Sequence, residues 1–374
     1  MLFPNNIEKD PRLTANCSLD HIFTLVGSSS KVPVTTCDIR RVYKTCSEQL
    51  LALLKVSNSR YHNAQECKEE SFGDYLAYWK GDRKEGTKYL KDWHFHRLVR
   101  DRYTAYTTPQ FFSSDWLNEW WEIRGKEAIA LEQKNAGENS ERSDIDGNDY
   151  RFVYIGPRGS WTPLHCDVFG SYSWSANIVG KKKWFFWKPG EEPRDHRGEL
   201  LWRVDEEVHD ERRLEVEQLE GQVIFVPSGW HHQVTNVEDT VSINHNWFNG
   251  SNIEEVVLRL EAELKKVQKE LDDCKGEGWD KMCQQLLKDS YGMNLEDLVD
   301  LLATVMERRL SMLEQPEYAK VSFDKAYLGP IHAKYDIVQV KKALIMLIRI
   351  FEENFATEKY TLCQHLINKC SVRH

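Results

Sequence analysis

The 374-residue sequence lacks an excess of basic residues, and this limits the partners that it can bind through charge. Its 50 Lys and Arg residues are outnumbered by 59 Asp and Glu residues, which gives a formal net charge of −9. Proteins that bind nucleic acid mainly through phosphates usually carry a basic balance or a basic patch. We therefore expect no nucleic-acid partner.

The sequence also lacks paired cysteines, long apolar runs and an apolar segment near residue 1. None of its nine cysteines forms a CxxC pair, which argues against a zinc ribbon or a thioredoxin-like site. An odd number of cysteines without a disulfide framework is typical of a reducing compartment. No stretch approaches the roughly 18 apolar residues of a transmembrane helix, and no secretory signal is visible. These absences predict no membrane partner and a cytoplasmic location, with the nucleus as the alternative.

Composition divides the chain into four segments. Residues 1–130 mix helical and strand patterns, and residues 131–149 read as a polar loop because they contain few large apolar groups. Residues 150–250 hold many short runs of β-branched and aromatic residues separated by Pro and Gly, the pattern of a sandwich or small barrel. Residues 251–374 carry apolar residues at helical spacing.

Within the first segment, apolar spacing predicts that 37–57 and 71–99 are partly helical, and capping residues predict a helix at 114–124. In the last segment, helices that pack on the barrel of the same chain are the simpler interpretation. A homodimer formed through these C-terminal helices is the alternative, since a partner would bury the same apolar faces.

His165 and Asp167 are the first candidate metal ligands. They are one residue apart on a predicted strand, so both side chains point to the same face. A later predicted strand carries His231 and His232, either of which can supply a third ligand. Two His and one carboxylate on one side of a metal leave three positions open, as in non-haem Fe(II) oxygenases. An isolated HxD is common by chance, so the signal lies in its joint occurrence with the later His pair.

The segment 240–248 predicts a polar pocket beside these ligands. Ser242, Asn244 and Asn246 alternate with apolar or aromatic neighbours, and a polar face on a core strand is unusual because buried amides need partners. We therefore predict that Asn244 and Asn246 line a pocket. Ser175 lies on the corresponding face of the predicted strand 171–180 and is a further candidate.

Two blocks of sequence, at 154–184 and 225–248, resemble the jumonji-C family, and within it the hydroxylase branch. The resemblance covers about a quarter of the chain. It implies a mainly β core, a double-stranded β-helix of jelly-roll or cupin-like form, with N-terminal α/β elements and a C-terminal helical region. It also implies Fe(II) bound by His165, Asp167 and His232, because the family ligand lies five residues after the Pro of the preceding strand.

The same resemblance implies 2-oxoglutarate and O2 as cosubstrates. In the family, a Lys two residues after a strand-ending Gly binds the distal carboxylate of 2-oxoglutarate, and here this is Lys182. Thr162 and Tyr89 match family residues of the same pocket. Some relatives carry Asn where this chain has Ser175.

The activity implied is hydroxylation of a lysine side chain, with the eukaryotic class-one translation release factor as the protein partner. A lysine demethylase of the same fold is the first alternative. A non-catalytic cupin-like binding module is the second.

Overall fold

The computed structural model describes residues 2–3, 19–40, 65–81, 83, 86–99, 105–135, 149–314, 328–354 and 358–371. The chain forms two compact units. The first takes residues 1–44, 59–106 and 151–246, and the second takes residues 45–58, 107–150 and 247–374. Each unit contains residues from more than one of the four segments that composition distinguishes. The division into four segments stays a prediction.

The strands of the described residues are β1 (Leu2–Phe3), β2 (Lys31–Arg40), β3 (Gln65–Ser71), β4 (Lys88–Trp93), β5 (Arg151–Gly156), β6 (Trp161–His165), β7 (Tyr172–Val179), β8 (Lys182–Trp187), β9 (Leu214–Gln218), β10 (Val223–Val226), β11 (His231–Asn236) and β12 (Thr240–Trp247). The helices are α1 (Leu19–Val26), α2 (Phe72–Lys80), α3 (Phe95–Val99), α4 (Trp116–Asn135), α5 (Ile253–Glu270), α6 (Trp279–Tyr291), α7 (Leu295–Glu314), α8 (Pro330–Asn354) and α9 (Glu358–Ser371).

The first unit is built on two antiparallel sheets. The smaller sheet has the order β6-β11-β8-β9, and the larger has the order β1-β10-β7-β12-β5-β4-β2-β3. Apolar side chains from β8, β10 and β11 meet in one buried cluster, so the two sheets share a core. Four strands of each sheet, β6-β11-β8-β9 and β10-β7-β12-β5, form the eight-stranded jelly roll. The predicted double-stranded β-helix is confirmed.

The N-terminal part of this unit extends the larger sheet and covers it with helices. Val32, Val34 and Leu90 are buried with Phe72 and Tyr75 of α2 in a second core cluster. Residues 37–40, which begin the segment predicted to be partly helical, are not helical and instead continue β2, where Arg40 pairs with Gln65 of β3. The remainder of that prediction, 41–57, lies outside the described residues. Of the helical segment 71–99, α2 and α3 are helical and β4 is not.

The second unit is helical, as predicted for residues after 251. Helix α4 covers 116–124 of the predicted 114–124 segment and begins two residues later than predicted. Residues 131–135 of the polar segment 131–149 form the end of this helix, and 136–148 lie outside the described residues. One face of α5 is buried at Ile253, Val256, Val257, Leu260, Leu264 and Val267. None of the helices in the described part of the chain is long and apolar enough to cross a membrane. The homodimer stays a prediction.

A buried ionic network joins three helices of the second unit. Arg309 of α7 is fully buried and donates two hydrogen bonds of 3.0 Å each to the carboxylate of Glu119 in α4. Its Nε donates to Asp336 of α8 at 2.7 Å. Burial alone would lower the pKa of Arg309, but the two carboxylates raise it. Each charge of this network therefore has a partner of opposite sign.

Candidate metal centre and cosubstrate pocket

His165 and His232 lie opposite each other on neighbouring strands of the smaller sheet. His165 ends β6, and His232 is its direct cross-strand partner in β11. Their ring centroids are 4.3 Å apart. Cross-strand partners have closely spaced Cβ atoms, so the pairing register by itself brings the two imidazoles together.

A register shift in β6 places Thr162 on the same side as His165. His232 pairs with His165, and Val234 pairs with Thr162. Between these two pairs, β6 contains one residue more than β11. Such a bulge lets two residues three positions apart face the same way. Pro163 lies inside the bulge. It is tolerated there because β6 is the edge strand of its sheet, where a missing N–H costs no ladder bond.

Asp167 completes the cluster just after β6. Its backbone is extended, with φ −66° and ψ 153°, so the strand direction continues and the carboxylate returns to the side of His165. Ser173 of β7 donates a hydrogen bond of 2.7 Å to Oδ2 of Asp167 and orients the carboxylate. One ligand atom from each of His165, Asp167 and His232 lies within 4.8 Å of the others. His231 takes no part in this cluster, and its Nδ1 lies 3.7 Å from Glu192.

Backbone carbonyls fix the tautomers of both imidazoles. Nδ1 of His165 is 2.8 Å from the carbonyl oxygen of Pro163, and Nδ1 of His232 is 3.2 Å from that of Trp230. A carbonyl oxygen only accepts, so each Nδ1 donates, and Nε2 is the ring nitrogen that remains available to a metal. Burial, with the nearby His165, lowers the pKa of His232 to about 4. The ring is therefore neutral at physiological pH, which metal binding requires.

Lys182 begins β8 and points into the same cavity. The turn before it contains Gly180, whose φ of +80° and close approach to the carbonyl oxygen of Asp239 leave no room for a side chain. Lys182 is only 1% exposed, and its Nζ donates to Oγ of Ser242 at 2.6 Å. No carboxylate among the described residues pairs with it. Burial lowers its pKa to about 7.

One cavity brings together the predicted site residues, apart from Ser175. Its lining consists of Tyr89, Tyr154, Thr162, His165, Asp167, Ser173, Lys182, Trp184, His232, Val234, Asn244 and Asn246. Ser175 lies one step back and donates to Oδ1 of Asn244 at 3.1 Å. Asn244 and Asn246 of β12 line this cavity, and Ser242 of the same face accepts the hydrogen bond from Lys182.

Sequence reasoning missed Tyr154, Ser173, Trp184 and Val234 as lining residues. A signal was available for three of them. Residues two positions apart on a strand point to the same face. Each of the three lies two positions from a predicted site residue on its strand: Ser173 from Ser175, Trp184 from Lys182, and Val234 from His232. Tyr154 pairs with Ser242 across β5 and β12, which only the sheet order shows.

The residues present fit an iron ion and a dicarboxylate. Two imidazoles and one carboxylate are the donor set of the facial triad that suits non-haem Fe(II). Beside it, the buried ammonium of Lys182 lacks an anion, and Oγ1 of Thr162 is buried without a hydrogen-bond partner among the described residues. Buried polar groups are normally satisfied. The two groups therefore mark the place of an anionic ligand.

A double-stranded β-helix with this triad defines the class of non-haem iron oxygenases. Comparison with known proteins agrees with that class. The JmjC domain, described as a hydroxylase, matches residues 190–247. A chicken protein named 2-oxoglutarate and iron-dependent oxygenase JMJD4 is 38% identical over 355 residues, which are 88% of this chain and 73% of the relative.

Two further relatives extend the comparison. The human protein named 2-oxoglutarate and iron-dependent oxygenase JMJD4 is 33% identical over 382 residues, covering 94% of this chain and 85% of the relative. An Arabidopsis thaliana protein named arginine-specific demethylase JMJ20 is 37% identical over 299 residues, covering 74% of this chain and 57% of the relative. The chain belongs to the JmjC family of 2-oxoglutarate and iron-dependent oxygenases.

Proposed function

We propose that this protein is an Fe(II)- and 2-oxoglutarate-dependent hydroxylase that acts on a lysine side chain of the eukaryotic class-one translation release factor. The enzyme class is supported by two groups of residues in one cavity, each of which can bind a ligand. The first is a triad of two imidazoles and a carboxylate, and the second is the buried amine of Lys182, which has no anionic partner among the described residues. A metal and a dicarboxylate complete both sites.

In this function, His165, Asp167 and His232 hold Fe(II), and Ser173 keeps the carboxylate of Asp167 in place. Lys182 and Thr162 bind the distal carboxylate of 2-oxoglutarate through a charge-assisted and a neutral hydrogen bond. When bound, iron and 2-oxoglutarate together supply the oxidising power for C–H hydroxylation with O2.

The remaining lining residues shape the cavity. Tyr89, Asn244 and Asn246 provide polar contacts to the bound cosubstrate, and Ser175 orients Asn244. Trp184 adds an apolar wall that limits water around the reacting groups.

The substrate and its location are supported by the resemblance of the motif blocks to the lysyl hydroxylases of the family. Translation termination takes place in the cytoplasm, which agrees with the location expected from the sequence. The names of the animal relatives specify iron and 2-oxoglutarate but no substrate.

A second candidate function is demethylation of a basic side chain. The Arabidopsis relative, 37% identical, is named an arginine-specific demethylase. A demethylase and a hydroxylase of this family share the same iron and cosubstrate site, so the cavity residues described above serve both. The mass of the product separates them, because hydroxylation adds about 16 Da and demethylation removes about 14 Da.

The test combines cosubstrate turnover with substrate mass. Purified protein with Fe(II), ascorbate, O2 and 2-oxoglutarate is incubated with the recombinant release factor, and succinate and peptide masses are measured. We expect succinate formation and a +16 Da lysine. The His165→Ala variant is the control without an intact triad. Succinate without a modified release factor would refute the substrate, and no succinate would refute the enzyme class.

A further inference from the structure

Strand β4 contains an irregularity that separates Asp92 from the core. Leu90 pairs with Ile155 of β5, but the next pair is Trp93 with Val153, so β4 has one residue more than β5 over this step. Asp92 lies in the bulge with φ 60°, in the left-handed region that few residues other than Gly adopt. Leu90 and Trp93 are buried, whereas Asp92 is exposed. Bulges often re-aim a side chain beside a functional site.

The carboxylate of Asp92 is hydrogen-bonded to a residue that lines the cavity. The hydroxyl of Tyr154 donates a hydrogen bond of 2.6 Å to Oδ1 of Asp92, and Tyr154 lines the cavity that contains the triad. Burial, and then the charge of Asp92, raises the pKa of Tyr154 well above its ordinary value, so the phenol remains a donor. Asp92 is thus held by a neutral group, and its charge is not neutralised by this contact.

No cation of the described residues neutralises Asp92. It forms no ion pair with a Lys, Arg or His in the part of the chain that the structure describes. A solvent-exposed carboxylate fixed in direction and without a counter-ion is complementary to an ammonium or guanidinium group. Lys182 therefore lies buried inside the cavity, whereas Asp92 is exposed outside its lining and is hydrogen-bonded to the lining residue Tyr154.

We infer that Asp92, positioned by Tyr154, binds the cationic end of a basic side chain of the protein substrate. This inference rests on the proposed function, because it assigns substrate recognition to the same cavity. The cosubstrate and the substrate side chain carry opposite charges, so they bind at different positions. The anionic cosubstrate goes to Lys182, and the cationic side chain goes to Asp92. Lysine and arginine both satisfy this chemistry, so the substrate class is a basic residue.

Affinity selection with peptides tests the inference without turnover. Three synthetic pools with identical random flanks and a central Lys, Arg or norleucine are applied to immobilised full-length protein loaded with Mn(II) and 2-oxoglutarate. Mass spectrometry then measures the retained ratio. We expect Lys or Arg peptides to be retained about fivefold over norleucine peptides, the size of a favourable exposed ion pair.

The decisive variant is Asp92→Asn, which keeps a residue that tolerates positive φ. It should reduce the preference for basic peptides to near equality, and Asp92→Lys should reverse it. Tyr154→Phe, which removes only the positioning hydroxyl, should give a partial loss. Glu69→Gln is the matched control, since it removes one exposed charge from β3 and should keep the preference.

Two results would overturn the inference: a wild-type protein without preference for basic peptides, or a preference that Asp92→Asn leaves unchanged. Succinate formation by the wild-type protein is measured separately. A protein that turns over 2-oxoglutarate but shows no charge preference refutes the inference alone. A protein that shows the preference but forms no succinate refutes the proposed function alone.

Discussion

Two buried cations, Lys182 in the first unit and Arg309 in the second, differ in what surrounds them. Arg309 is bound by the carboxylates of Glu119 and Asp336. Within the described residues, Lys182 contacts only neutral groups, the hydroxyl of Ser242 and the ring of Tyr154. A buried charge with complete partners stabilises a fold geometry, and removing a partner is costly. A buried charge that lacks its partner marks a ligand site. Burial of a cation therefore indicates a structural ion pair at Arg309 and a ligand-binding site at Lys182.

The largest effect on stability is expected from Arg309→Met. The substitution removes the guanidinium that lies between the buried carboxylates of Glu119 and Asp336, and leaves Arg308 beside Glu119 and His332 beside Asp336. Because one buried cation is lost between two buried carboxylates, the free energy of unfolding should fall by about 3 kcal/mol. Urea denaturation measures the change, and succinate formation per folded molecule should be retained. Arg124→Met is the control, because Arg124 is 39% exposed and 3.9 Å from Asp300, and such surface pairs contribute at most about 1 kcal/mol. Equal losses in both variants would contradict the structural interpretation of Arg309.

The largest effect on activity is expected from Asp167→Ala. Groups that merely support metal ligands are worth about 10- to 100-fold, so loss of a ligand should cost at least about 100-fold in succinate formation. Mn(II) affinity should fall in parallel, while the unfolding free energy of the metal-free protein should not fall. Turnover within tenfold of the wild-type value would show that Asp167 is not a ligand.

Lys182→Met repeats the substitution made at Arg309 and should give the opposite pattern. Loss of a charge-assisted hydrogen bond of about 1.5–3 kcal/mol should raise the KM for 2-oxoglutarate about 10- to 100-fold. The unfolding free energy should not fall, because Met removes a buried cation that pairs with no carboxylate in the described part of the chain. A loss of stability with an unchanged KM would make Lys182 a structural residue and would remove the contrast between the two units.

The pH dependence of cosubstrate binding sharpens the same comparison. The pKa of Lys182 is about 7 in the folded protein and 10.5 ordinarily. The unfolded chain therefore binds more protons between these values, and the contribution of Lys182 makes stability rise with pH across this window. Binding of an anion favours the protonated amine, so the affinity for 2-oxoglutarate should fall above pH 7, by up to about tenfold per unit.

Calorimetric titration at pH 7, 8 and 9 measures this slope. Lys182→Arg is the control, since a guanidinium stays charged throughout and should give a flat profile. The same slope in both proteins would assign the titration to another group.

The smallest effect is expected from Ser173→Ala. Without the hydroxyl that orients Asp167, Mn(II) affinity should fall about tenfold, the lower end of the range for supporting groups. Ser175→Ala is the matched control, because Ser175 shares the face of Ser173 but donates to Asn244. It should leave metal affinity unchanged, and a loss in both variants would point to a general distortion of β7.

The sequence was sufficient for features that depend on local periodicity. Alternating apolar runs with Pro and Gly between them predicted β5, β7, β8, β10, β11 and β12, and the spacing of His165 and Asp167 predicted a shared face. Strand β9 was missed, since Leu214–Gln218 is mostly exposed and charged and lacks an apolar alternation. Residues 37–40 are not helical because they continue β2, where the N–H of Cys37 donates to the carbonyl oxygen of Thr87 and Arg40 pairs with Gln65 of β3.

Features that depend on distant pairing could not be predicted. The partners of Arg309 lie on helices far apart in sequence, and no spacing rule joins Glu119 to Asp336. Asp92 is one of many acidic residues until the bulge and its hydrogen bond to Tyr154 are known. Resemblance to the family supplied Lys182 and the choice of His232, which the residues alone left open.

The position of His165 on an edge strand has a consequence for folding. Among the described residues, β6 pairs with one strand, β11, and it contains Pro163. On its other side, the N–H of Leu164 donates to the carbonyl oxygen of Trp202, which is not part of a strand. A metal bound to both His165 and His232 cross-links this end to the interior strand β11, much as a disulfide would. Loss of the ion should therefore increase local opening of β6 at the edge of the sheet. We expect amide hydrogen exchange in residues 161–165 to be faster in the metal-free protein than in the metal-bound protein.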